Sequence, residues 1–89
     1  MMRYRRTADW LEAQVHDELL MMHGESGRFL SLNETAAYLW ACLAEPKSAD
    51  ALADGLCAAF EVGPAAARAD VDAWLETMRA ERVVEEDAA

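Results

Sequence analysis

Residues Arg28 to Trp40 read RFLSLNETAAYLW, and the two halves of this stretch follow different periods. From Arg28 to Leu32 the side chains of a strand would alternate, with Phe29 and Ser31 on one side and Leu30 and Leu32 on the other. Asn33 then has the character of a helix N-cap, and Glu34 is well placed at the positive end of a helix dipole. From there Ala36, Ala37, Leu39, Trp40 and Leu43 recur at the spacing of a helix face turned toward a core. A strand that breaks off into a capped helix therefore anchors the reading.

Upstream, Trp10 to Val15 (WLEAQV) alternates, with Leu11, Ala13 and Val15 on one side and Trp10, Glu12 and Gln14 on the other, which predicts a half-buried strand. His16 and Asp17 suit a tight turn. Glu18 to His23 (ELLMMH) is apolar on both faces and fits a central strand. Gly24 to Gly27 (GESG) reads as a four-residue hairpin loop. Three strands joined by short turns make a meander with the first and third as edges. Glu12 and Gln14 place polar groups on the first strand, whereas FLSL carries no charge after Arg28 and is open to a guest strand.

Downstream, Glu45 to Lys47 (EPK) interrupts the helical pattern. Ser48 caps a second helix that carries Asp50 in its first turn, sets Leu52, Leu56, Ala59 and Phe60 on one face, and ends near Glu61. Pro64 opens a third helix running to about Ala80, with Val71, Trp74, Leu75 and Met78 inward and Arg68, Asp72, Glu76 and Arg79 outward. Val83 and Val84 pack or add a short strand, and Glu85 to Ala89 fray. The expected fold class is α+β: a winged helix-turn-helix-like domain, one three-stranded antiparallel sheet followed by three helices, spanning residues 10–86. Residues 1–9 are expected to be a flexible basic tail.

At 89 residues the chain has room for one small domain and little for a deep catalytic cleft. The first eight residues hold three arginines and no acid, while the remainder holds all 17 acidic residues, for a net charge of −9. Such a field repels nucleic-acid backbones. No apolar run approaches a membrane span, and no signal peptide follows the basic start, so the default location is the cytoplasm.

SGRFLSLNETAAYLW, the Pro-containing turn, the SADAL start of the second helix and DVDAWLETMRAERVVEE together resemble the PqqD-like peptide chaperones, also called RiPP recognition elements. The resemblance covers roughly residues 10–86. It implies a non-catalytic domain that binds the leader segment of a ribosomally made precursor peptide and delivers it to a modifying enzyme such as a protease, cyclase or radical enzyme. It also implies a leader that adds as a strand beside the third strand and lies against the third helix. Carried onto this chain, the guest runs along Arg28, Phe29, Leu30, Ser31 and Leu32 and touches Arg68, Val71, Asp72, Trp74, Leu75, Met78 and Arg79. An apolar stripe at helical spacing is also what a core requires, and some of these side chains are expected to be core only. MMHGESGR and AEPK depart from the members dedicated to quinone-cofactor maturation, which favours a lasso-peptide or other peptide-maturation setting.

An independent route leads to the same edge. Main-chain hydrogen bonds along an unpaired strand supply affinity, and pockets beside it supply selectivity. Cys42 and Cys57 lack CxxC spacing, His16 and His23 lack ligand partners, and no phosphate-binding or nucleophile-elbow motif is present. No catalytic residue, metal or cofactor is expected. The alternatives are a winged-helix DNA-binding module, which needs a basic recognition helix, and a small interaction protein that forms a homodimer through the same edge.

Overall fold

The computed structural model describes residues 2–87. In chain order these form β1 (Arg3–Arg6), β2 (Trp10–Val15), β3 (Glu18–His23), β4 (Phe29–Leu32), α1 (Glu34–Cys42), β5 (Lys47–Ser48), α2 (Ala49–Phe60), α3 (Pro64–Ala80) and β6 (Val84–Asp87). The architecture is mixed α+β with three helices and two antiparallel three-stranded sheets, ordered β2-β3-β4 and β5-β1-β6. The single sheet expected from the sequence is therefore corrected to two.

The second sheet is built from both ends of the chain. Arg3–Arg6, expected to be a mobile tail, is its middle strand, and Arg5 lies opposite Glu85 with Nε 2.8 Å from its Oε1. Arg3 likewise reaches Asp87. Glu85–Asp87, expected to fray, are held in β6, and the remainder of that expectation lies outside the described residues. Opposite charges on facing strands favour this register.

The helix boundaries follow their caps. The Asn33 side chain accepts a hydrogen bond from the Ala36 N–H at 2.9 Å, and Ser48 accepts one from Ala51 at 3.1 Å. Each satisfies a donor that the first turn leaves free. Glu61 ends α2 in the left-handed region at φ 53°.

The core joins one face of the first sheet to all three helices: Met21 and Leu32 pack with Leu39, Trp40, Leu52, Leu56, Val71 and Leu75, all nearly inaccessible. Fully burying an aliphatic side chain of this size contributes about 1.5–3 kcal/mol. Ala59, expected on the buried face of α2, is exposed, and Ala49 and Ala53 are buried instead. Trp40 ties three elements together. Its indole Nε1 donates to Glu12 Oε1 at 2.6 Å, and the Arg6 guanidinium lies 4.3 Å over the ring while donating to the Trp40 carbonyl.

That contact fixes which way β2 faces. Trp10 and Glu12 lie on the core side, so Leu11, Ala13 and Val15 are turned outward together with Met22 and Phe29. Alternation alone identified the two faces, but the bond to Trp40 decides which one is buried.

Candidate functional site

The β2-β3-β4 sheet has two edges, and β4 pairs with β3 alone, Leu19 opposite Leu32 and Met22 opposite Phe29. The hydrogen bond from His23 N to Arg28 O, 2.9 Å, sets the alternation of this antiparallel pair. Leu30 and Leu32 thereby direct their main-chain groups to β3, while those of Phe29 and Ser31 point to the open side. Among the described residues no strand occupies that side. Two residues thus present N–H and C=O groups in the geometry that a further strand needs.

One end of the edge is tied to α3. The Arg28 guanidinium forms an ion pair with the Glu81 carboxylate and donates to the Glu81 carbonyl at 3.1 Å. Successive helical residues turn by about 100°, which puts Trp74, seven residues before Glu81, on the same side of α3. Trp74 is half-buried, and its enclosed indole N–H has no hydrogen-bond partner among the described residues. A buried donor left unpaired is destabilising by about 1–3 kcal/mol, so the group calls for an explanation.

The other expected site residues fall into separate groups. On β4, Phe29 is 71% exposed and Ser31 is exposed, whereas Leu30 is half-buried on the core face and Leu32 is buried. Val71, Leu75 and Met78 are core residues, at most 6% exposed. Arg68, Asp72 and Arg79 flank the buried stripe of α3 on the side away from Trp74. Arg68 lies between Asp50 and Asp72, its Nε 3.0 Å from Asp72 Oδ1, and these carboxylates raise its pKa, the Asp72 hydrogen bond most. Arg79 pairs with Glu86 of β6 at 2.8 Å. These three face α2 and the second sheet and do not converge on the edge.

The sequence reading missed Glu81, which anchors the strip, and the side of α3 that runs from Trp74 through Thr77 to it. A helical projection centred on Trp74, in place of the Arg68–Arg79 row, contains the signal.

A three-stranded sheet with one strand edge unpaired among the described residues, and one corner tied to a long helix, makes this a small α+β domain. The chain matches the family model for coenzyme PQQ synthesis protein D (PqqD) over residues 18–84. It belongs to the PqqD family. It is similar to the solved structure of TbiB1 in complex with the TbiA(beta) leader peptide, with a TM-score of 0.81 and 21% identity, covering 96% of this chain and 99% of that one. It is also similar to the lasso peptide synthetase B1 complexed with the leader peptide, with a TM-score of 0.77, 24% identity, and coverage of 92% and 96%. No curated protein matches.

Proposed function

We propose that this domain binds the leader segment of a ribosomally made precursor peptide, without catalysis, by taking it up as a fourth strand on β4. The observation that carries the reading is the unpaired edge at Phe29 and Ser31, with Arg28 and Trp74 beside it. Both similar structures named above hold leader peptides, which supports the same use of the edge here. The guest's main chain bonds to Phe29 and Ser31, and its side chains meet Phe29 on the outer face and Trp74 on the inner one. The buried Trp74 N–H then gains an acceptor from the guest.

In this reading the three helices and the β2-β3-β4 sheet serve as a winged helix-turn-helix-like platform in the cytoplasm. The bound leader is passed to a modifying enzyme, with a lasso-peptide pathway favoured by the likeness to the lasso peptide synthetase B1. A DNA-binding role is disfavoured because Arg68 and Arg79 on α3 are already matched with carboxylates. A homodimer through β4 would compete with the leader for the same groups.

The test is a fluorescence-polarisation titration of the full chain with the leader encoded beside its gene. Binding at micromolar concentration or tighter is expected. A leader that does not bind, under conditions where circular dichroism shows the protein folded, overturns the proposal.

A further inference from the structure

Main-chain pairing along β4 has no register of its own: a guest shifted by two residues keeps the same bonds and the same side-chain faces. The register has to come from side chains that differ along the strip.

On the outer face of the sheet they do differ. Strand pairing lines up Leu11, Met22 and Phe29 in one row across the sheet, and Ala13, Leu20 and Ser31 in the next. The first row is large and apolar throughout, whereas the second ends in a hydroxyl at the open edge. Val15 and Glu18 form a third row that has no member on β4.

Phe29 is 71% exposed and Leu11 59%, and together with Ala13, Leu20 and Met22 they wall a cavity of about 190 Å³ on this face. None of these five side chains belongs to the core, which lies on the other face of the sheet. Phe29 is thus the rim of a continuous apolar surface, at the point where that surface meets the open edge.

A strand added beside β4 continues the rows. The guest residue opposite Phe29 has its Cβ about 4.5–5.5 Å away on the same face, whichever way the guest runs. Ser31, two residues along, offers the next outward guest residue only a hydroxyl on β4.

We infer that Phe29 sets the register of the bound leader by selecting an aromatic or β-branched aliphatic side chain at the one leader position directly opposite it. Aromatic and aromatic–β-branched pairs across strands are favourable, and the guest side chain removes part of the exposed phenyl ring from water. The two-residue slip places that side chain beside Ser31 and forfeits the contact. This inference rests on the proposed uptake of leader by β4.

The test uses the full chain and synthetic copies of the leader encoded beside its gene, each with one aromatic or β-branched residue changed to serine. In fluorescence-polarisation titrations one such copy should bind the unchanged protein about 5-fold more weakly than the parent leader, as a strong cross-strand pair predicts. That copy and the parent should bind Phe29→Ser equally. Exchanging the edge residues, Phe29→Ser with Ser31→Phe, should move the preference: a leader with its large side chain shifted to the position opposite Ser31 should bind the exchanged protein better than the unchanged one. Both edge positions are exposed, so circular dichroism should show both variants folded. In the unchanged protein the Phe29 ring protons should give NOEs to that same leader side chain. Losses that are the same in Phe29→Ser as in the unchanged protein for every copy, or a Phe29 ring without NOEs to bound leader, overturn the inference while leaving leader binding intact. Failure of the unchanged protein to bind leader overturns both.

Discussion

Arg28 and Glu81 join the first residue before β4 to the cap of α3 by an ion pair and a guanidinium–carbonyl bond. Both side chains are about two-fifths exposed, and exposed pairs of this kind contribute at most about 1 kcal/mol. Their importance is positional, since they hold one end of the strip between β4 and α3. Arg28→Ala should lower stability by less than about 1 kcal/mol in urea unfolding yet weaken leader binding several-fold in a titration. Equal binding would show that the tether does not shape the site.

Trp74 combines partial burial with an unpaired indole N–H. Trp74→Phe keeps most of the ring while removing that donor. Its midpoint in urea should stay the same or rise, because a buried unsatisfied group is destabilising by about 1–3 kcal/mol. Leader affinity should fall if, as proposed, the guest supplies the acceptor for this donor. A variant that is both less stable and unchanged in affinity would assign Trp74 to the core alone.

Leu75 contrasts with it. At 3% exposure it packs among the helices, and Leu75→Ala should destabilise the fold by about 2–5 kcal/mol in urea unfolding. Most or all of the stability of so small a domain is of that order, so any loss of binding would follow unfolding. Leu30→Asp should act the same way, since Leu30 shares the core face with Met21, its partner across β3. Phe29→Ser should not: Phe29 is 71% exposed, and its loss should change stability by no more than about 0.5 kcal/mol while weakening leader binding.

The basic start of the chain gives a prediction that a tail would not. Deleting residues 1–7 removes β1, the strand that joins β5 to β6, and takes with it the Arg6 contacts to Trp40. The truncated protein should melt at a clearly lower temperature by circular dichroism. A mobile tail would leave the melting temperature unchanged.

Much of the fold was legible because local signals agreed. Alternation located β2, a run apolar on both faces located β3, glycines marked the turn before β4, and Asn33, Ser48 and Pro64 placed the helix starts. The second sheet was not legible. RYRR and VEED carry no apolar alternation, and their pairing depends on charges contributed by opposite ends of the chain, as between Arg5 and Glu85. The site was half legible. The bare edge at Phe29 and Ser31 follows from composition, but which side of α3 faces it depends on the single contact from Arg28 to Glu81. Periodicity alone could not separate Trp74 from the buried Val71, Leu75 and Met78 beside it.

The most direct measurement is amide hydrogen exchange at Phe29 and Ser31, read by NMR with and without saturating leader peptide. Both amides should exchange quickly in the free protein, since among the described residues no strand covers them, and should become strongly protected when leader is bound. Leader binding that leaves these two amides unprotected, with protection arising elsewhere, would contradict strand addition at β4.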